Sequence, residues 1–283
     1  MSFNSINYNG DKRITTALLL AAGTGSRLMP LTSNSPKCLT LVNGKSFLER
    51  LVINLKKQGF KRLVVITGHQ ENCIREFLPT VSGDLTIEFV HSPLYKTTNN
   101  IYSLWMARDI IKEQFMLIEG DLIFDVSLLD DMVYPDQIAV ANILPWMNGT
   151  TVTLNPSQGI KSFHKNTSSD LEESRYKTVN IYSFSLTTWN SIINRLNQHI
   201  SANNVNSYYE TVFAEMVEDG SLSLQAVDFD NRYWYEVDTL EDLAEAQKLF
   251  PTEIYENRVH TSKILGQFPA EIENEELKVA AVS

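Results

Sequence analysis

Long apolar runs are missing from this chain, and so is any excess of basic residues. Across its 283 residues no stretch approaches the ~20 apolar residues that a membrane-spanning helix requires. Met1 to Arg13 is polar and lacks the apolar centre of a secretory signal. Lys and Arg number 24 against 34 Asp and Glu, a formal net charge of −10. Nucleic-acid backbones select basic faces, so this balance argues against a general nucleic-acid-binding surface. It does not exclude a small anionic ligand, since a few backbone N–H groups and one or two cations can hold phosphates locally. Cysteine is scarce, with only Cys38 and Cys73. One disulfide is conceivable, but two reduced thiols are the plainer reading. Internal repeats and low-complexity segments are absent too. The expectation is a soluble, cytoplasmic globular protein with no membrane insertion and no nucleic-acid partner.

What is present is an alternation of short apolar runs with helical periodicity. Ile14 to Leu20 reads as a buried strand ending at a Gly-containing turn. Ser46 to Gln58 carries Phe47, Leu48, Leu51, Val52 and Leu55 at helical spacing, with Gly59 as its stop. Further strands are expected over Arg62 to Thr67, Leu85 to Val90 and Phe115 to Ile118, with helices over Gln70 to Leu78 and Tyr102 to Lys112. The second half is less regular. Strands are expected over Gln137 to Leu144, Thr150 to Leu154, Thr178 to Ser185, Ser221 to Val227 and Trp234 to Val237. Helices are expected over Trp189 to Ile200, Tyr208 to Glu218 and Leu240 to Phe250. This pattern predicts an α/β fold: a single Rossmann-like three-layer domain around a mixed, mainly parallel sheet. The domain is expected to span residues 14–250, with halves of about 14–125 and 126–250. Residues 1–13 read as an N-terminal extension, and 251–283 as a tail or linker. Ligands gather at the carboxyl ends of the strands in such sheets. If the first strand and Phe115 to Ile118 run the same way, the Gly23 loop and Asp121 face one cleft.

The loop Leu20-Ala21-Ala22-Gly23-Thr24-Gly25-Ser26-Arg27 has chemistry of its own. Small residues let the backbone approach a ligand, and glycines permit turns that aim several N–H groups at one anion. Arg27 and Lys37 add two cations. Taken alone, G-x-G after a strand equally describes a tight turn. The loop lacks the third glycine of a dinucleotide fingerprint and the Gly-Lys-Ser/Thr ending of a P-loop.

The full segment from Leu20 to Leu39, LAAGTGSRLMPLTSNSPKCL, is more specific. It resembles the signature L-A-A-G-x-G-x-R-L-x-P-L-T-x-x-x-P-K-x-L of the nucleotide-sugar pyrophosphorylase superfamily of nucleotidyltransferases. Within that superfamily the chain looks most like the phosphocholine cytidylyltransferases and their 2-aminoethylphosphonate-using relatives. Asn43-Gly44-Lys45, Asn99 to Leu104, Glu119-Gly120-Asp121 and Tyr235 to Thr239 carry this part of the likeness, which covers about residues 14 to 250.

The resemblance implies roles for individual residues. Arg27 matches an arginine on the β- and γ-phosphates, and Lys37 a lysine on the α-phosphate and the incoming phosphate. Asp121 and Asp238 match two aspartates that bind Mg²⁺. Leu20 to Gly25, Asn100, Ser103 and Glu119 fall where the nucleotide is held, Glu119 being a doubtful metal ligand. Sugar-using relatives carry a Gly-rich segment where this chain has Asn99 to Ser103, which points away from a sugar substrate. Bland alternatives exist: Asp121 and Asp238 could each cap a helix. His69 and His91 have no metal-site spacing and read as ordinary loop or strand-end residues.

The second half is expected to choose the acceptor. By resemblance, Lys165 lies where relatives use a lysine near the acceptor phosphate, although His164-Lys165-Asn166 departs from the usual Glu-Lys-Pro. Lys177 is the alternative cation, and Asn180 matches a substrate-facing position. A cationic ammonium favours aromatic faces and a nearby carboxylate. Tyr182, Trp189, Tyr208, Tyr209, Glu210, Trp234 and Tyr235 are the candidates, each of the aromatics equally able to sit in the core. The leading expectation is a Mg²⁺-dependent cytidylyltransferase joining CTP to a small phosphate or phosphonate amino alcohol, phosphocholine or 2-aminoethylphosphonate. A sugar-1-phosphate nucleotidyltransferase using UTP or dTTP is the runner-up, and a catalytically silent nucleotide-sensing module is the reading from another class. A homodimer, or a partner domain fused through the tail, is left open.

Overall fold

The structure, a computed structural model, describes residues 13–144, 147–165, 174–230 and 232–250. The strands of the first half are β1 (Thr16–Ala21), β2 (Leu41–Val42), β3 (Lys45–Ser46), β4 (Arg62–Thr67), β5 (Thr86–His91), β6 (Phe115–Glu119) and β7 (Leu122–Phe124). Those of the second are β8 (Gln137–Asn142), β9 (Thr150–Leu154), β10 (Ile160–Lys165), β11 (Arg175–Phe184), β12 (Gln225–Asp228) and β13 (Trp234–Glu236). The helices are α1 (Phe47–Lys57), α2 (Glu71–Val81), α3 (Asn100–Met106), α4 (Leu186–Ser201), α5 (Tyr209–Glu218) and α6 (Leu240–Leu249).

One nine-stranded sheet organises the chain, along the order β10-β9-β11-β6-β1-β4-β5, with β8 on β11 and β12 on β8. β1 runs parallel to both β4 and β6, and β4 parallel to β5. β11 is antiparallel to β6, β8 and β9, which makes the sheet mixed. All six residues of β1 are buried, as a central parallel strand covered on both faces requires. Period-two alternation then sorts side chains between two cores. Ala17, Leu19, Leu63, Val65, Met116 and Ile118 pack under α1 and α2 with Leu48, Leu51, Ile74 and Leu78. Leu18, Leu20, Val64, Ile66 and Leu117 face the other way, toward α3, α4 and α5. This is the three-layer arrangement that the sequence pattern predicts.

Local signals explain most boundaries. The Ser46 side chain caps α1 by accepting from Glu49 N, and Gly59 turns the chain at φ +75° just past the helix end. Some expectations need correction. The Tyr102 to Lys112 helix begins earlier, at Asn100, and its α-helical part ends at Met106 before tightening into a 3₁₀ turn, Ala107–Asp109. Ser221 to Val227 pairs only from Gln225 onward. Its first residues wrap the end of α5, where Gly220 takes φ +78° and Leu222 N donates to Met216 O at 2.9 Å. β7 and β10 are not foreseen by the sequence pattern. β7 pairs with β13 in a separate ribbon, and α6 packs beside it through Leu28, Ile123, Val237 and Leu243. The N-terminal extension and the tail, with any linker role for the latter, lie outside the described residues.

Candidate active site

β1 has β4 on one side and β6 on the other, so the chain crosses the sheet in opposite directions at the β1–β6 junction. There the carboxyl ends of two parallel strands open a crevice. Leu20 is in register with Glu119, and Gly120 N donates to Leu20 O at 3.1 Å. The common direction of β1 and β6 therefore brings the Gly23 loop and Asp121 to one cleft. The loop is braced from behind. A side chain on Gly68 would meet Ala22 O and Tyr95 Cγ at 2.7 Å, so only glycine lets the end of β4 pack against the loop. Gly25 sits at φ +61°, where a Cβ would lie 3.0 Å from both Lys37 Cβ and Thr32 Cγ2. The chain thus loops back on itself, and Lys37 arrives beside Gly25.

A cleft of about 640 Å³ runs along these strand ends and on into the second half. Leu20, Ala21, Ala22, Gly23, Gly25, Arg27 and Lys37 line it, together with Asn100, Ser103, Glu119, Asp121 and Asp238. From the second half come Lys165, Lys177, Asn180, Tyr208 and Glu210. Thr24 is exposed between the two glycines and does not wall it.

At its centre Lys37 Nζ bridges Asp121 Oδ2 at 2.9 Å and Asp238 Oδ1 at 2.6 Å. Arg27 Nη2 reaches the same Asp238 oxygen at 2.7 Å. Burial works against the Lys37 charge, but the two carboxylates more than offset it and raise its pKa. Neither aspartate caps a helix. Asp121 runs into β7, and α6 is capped by Thr239 in a reciprocal box with Asp242. The Asp238 carboxylate is left to face cations.

Asp121 Oδ1 is buried without a hydrogen-bond partner among the described residues. Carboxylate oxygens of Glu119, Asp121 and Glu236 lie within 4.8 Å of one another. Hard oxygen donors of this kind suit Mg²⁺, so the residues present fit such an ion, with Glu236 an additional candidate ligand that the sequence reading missed. The signal was available: in an extended Tyr235-Glu236-Val237-Asp238, period two places Glu236 and Asp238 on one face. The same rule pairs Glu119 with Asp121. Burial raises the pKa of Glu119, and Asp121, Glu210 and Glu236 add to the effect. Glu236 is also raised by burial, opposed by Lys177 and reinforced by Asp121 and Asp238.

The acceptor candidates divide. Lys177 is almost wholly buried and pairs with Glu236 Oε2 at 3.2 Å. Asn180 Nδ2 donates to Glu236 Oε1 at 3.2 Å. Asn180 has φ +58° and sits where β11 slips register against β8, between Thr178 and Tyr182. That bulge directs its side chain into the cleft. Lys165 stands exposed at the rim. Tyr208 is 56 % exposed, and Glu210 only 9 %. Burial pushes the Glu210 carboxyl up to about 7, with Lys177 opposing and Glu236 reinforcing.

Tyr182, Trp189 and Tyr209 are corrections, being fully buried core residues. Tyr182 stacks on Phe184 and meets Tyr209 and Phe213 edge-on, so its ring face is spent inside the protein. Trp234 packs against the core and lines a small side recess with Tyr235 and Glu236, outside the main cleft. Tyr95, Thr98, Asn148 and Gly149 line the cleft without having been singled out. His69 and His91 are ordinary, bonding Thr32 O at 3.2 Å and Glu71 Oε2 at 2.8 Å. Both cysteines are free thiols, and burial pushes Cys38 up to about 12. No helix among the described residues is long and apolar enough to cross a membrane.

Comparison with known proteins agrees with this geometry. The CMP-5'-(3-aminopropyl)phosphonate synthase of Streptomyces rubellomurinus is 27% identical over 244 residues, covering 83% of this chain and 38% of that protein. The CTP:phosphoglutamine cytidylyltransferase of Campylobacter jejuni is 24% identical, over 80% of this chain and 97% of its own. The chain therefore spans well under half the length of the first relative and nearly all of the second. Among solved structures, the CTP:phosphocholine cytidylyltransferase of Streptococcus pneumoniae superposes with a TM-score of 0.73 at 18% identity, over 84% of this chain and 99% of that one. This likeness establishes the mixed, mainly parallel α/β fold. The nucleotidyl transferase family model matches residues 16–253, and the chain belongs to that family.

Proposed function

We propose that this protein is a Mg²⁺-dependent cytidylyltransferase, transferring CMP from CTP to a small phosphorylated or phosphonate amino alcohol with release of pyrophosphate. The observation that carries this reading is the Lys37 bridge between Asp121 and Asp238, set beside the Gly23 loop in a cleft that continues into an acid-walled second half. The named activities of the Streptomyces, Campylobacter and Streptococcus relatives support cytidylyl transfer to phosphate or phosphonate acceptors.

An oxygen of the acceptor phosphate or phosphonate attacks the α-phosphorus of CTP. A new P–O bond forms, the α–β bridging P–O bond breaks, and pyrophosphate leaves with the bonding electrons. The attacking oxygen is already ionised near neutral pH, so no general base is needed. Charge repulsion and alignment dominate the barrier. Backbone N–H groups of Leu20 to Gly25 hold the triphosphate, and Arg27 neutralises its β- and γ-phosphates. Lys37 meets the α-phosphate as charge moves onto the leaving group. Asp121 and Asp238 are the proposed metal ligands, with Glu119 and Glu236 adjoining; Mg²⁺ bound there supplies charge neutralisation and orientation of the phosphates. Asn100 and Ser103 hold the nucleoside. Lys165 or Lys177 meets the acceptor phosphate, and Asn180 and Glu210 its amino end, with Tyr208 at the rim.

The test is a pyrophosphate-release screen of four nucleotides against phosphate and phosphonate acceptors, with and without Mg²⁺. CTP with a zwitterionic acceptor is the expected active pair, silent in excess chelator. Turnover of glucose 1-phosphate with UTP or dTTP, and none with CTP and an amino acceptor, overturns the reading.

A further inference from the structure

Among the described residues, the inner end of the cleft holds more acid than its bases neutralise. Asp121 is matched by Lys37, and Glu236 by Lys177. Glu119 receives an amide N–H, from Asn100 Nδ2 at 3.1 Å, and no cation among the described residues. Glu210 is only 9 % exposed, lines the cleft, and has Oε2 with no hydrogen-bond partner among the described residues. A buried carboxylate oxygen without a partner is unfavourable. A cationic group brought by a ligand supplies what the fold omits.

The chemistry of the walls says which kind of cation. A trimethylammonium has no N–H and is held by aromatic faces. The buried rings of Tyr182 and Tyr209 pack edge-on against each other at 5.8 Å and turn into the core, and Trp234 lines a side recess outside the main cleft. Only Tyr95 and Tyr208 bring aromatic rings to the cleft lining among the described residues. Tyr95 sits behind the Gly23 loop against Gly68, and Tyr208 is exposed at the rim. A primary ammonium instead carries three N–H donors in one compact charge. From these observations, and resting on the cytidylyltransferase reading above, we propose that Glu210 receives the primary ammonium of the acceptor. The enzyme thereby selects aminoalkyl phosphonates or phosphates over their trimethylammonium counterparts.

The experiment compares kcat/KM with CTP for 2-aminoethylphosphonate, its N,N,N-trimethyl derivative, ethylphosphonate, phosphoethanolamine and phosphocholine. Each trimethyl compound is expected to fall at least 100-fold below its primary amine, mainly through KM. Glu210→Gln is expected to shrink the preference for 2-aminoethylphosphonate over ethylphosphonate at least tenfold, and Glu210→Asp to restore part of it. That ratio is read on folded protein, verified by an unchanged CTP titration. Equal or better use of the trimethyl compounds with CTP, or an unchanged ratio in Glu210→Gln, overturns the ammonium assignment while leaving cytidylyl transfer standing. Pyrophosphate release from none of the five, with sugar 1-phosphates turned over instead, overturns both.

Discussion

Replacing Glu210 by glutamine is expected to stabilise the protein above neutrality and to leave it unchanged in acid. The reason is the burial of this carboxyl, which holds its proton to about 7 instead of 4.5. Below pH 4.5 the group is protonated in both folded and unfolded chains and contributes nothing. Between 4.5 and 7 the unfolded chain has released the proton and the folded one has kept it. The folded state then binds more protons, so stability falls as pH rises. At about 1.4 kcal/mol per decade of pKa displacement, the full penalty above pH 7 is about 3 kcal/mol. Glutamine keeps the shape and removes the titration. Urea unfolding of wild type and Glu210→Gln at intervals from pH 4.5 to 8 reads the difference directly. It is expected to grow by about 3 kcal/mol across that window, or by ~6–12 °C in melting temperature for a domain of this size. A difference that stays flat with pH, or a variant less stable than wild type at pH 8, refutes the claim that burial of the Glu210 carboxyl outweighs the groups that offset it.

Substitutions at four further positions test other parts of the site. Lys37→Ala and Asp121→Ala each reduce pyrophosphate release by roughly 10²–10³-fold or more while the far-ultraviolet spectrum is retained; near-normal turnover removes that residue from the mechanism. Gly68→Ala forces a methyl against Ala22 O and Tyr95 and costs about 1–3 kcal/mol, with weaker CTP binding in a calorimetric titration because the loop is pushed from behind. At Asn180 the left-handed backbone makes Asn180→Ala less stable than Asn180→Gly by about 1 kcal/mol, the reverse of the order in a regular strand, as denaturant melts of the pair will show.

The sequence by itself settled those features that depend on residues close together in the chain. The apolar run into a small-residue turn is enough to define β1 and the Gly23 loop. Capping and a trailing glycine bound α1, since Ser46, Glu49 and Gly59 act within a few residues of one another. The segment from Leu20 to Leu39 carries Arg27 and Lys37 on one short span, and the resemblance of Glu119-Gly120-Asp121 and Tyr235 to Thr239 to the superfamily marked Asp121 and Asp238. Period two could have added Glu236 as well. Tertiary structure decided what local pattern cannot encode. Tyr182, Trp189 and Tyr209 are as apolar and as polar as ligand-binding aromatics, and only the packing of α4 and α5 on the sheet shows that they fill the core. The place of Asn180 depends on a register slip against β8, some forty residues away in sequence, and a one-residue change of register reverses which face a side chain takes. The balance of charge is likewise non-local. Lys37 is paired with carboxylates 84 and 201 residues distant, whereas Glu210 Oε2 has no hydrogen-bond partner among the described residues, because β6, β11, β13 and α5 converge there.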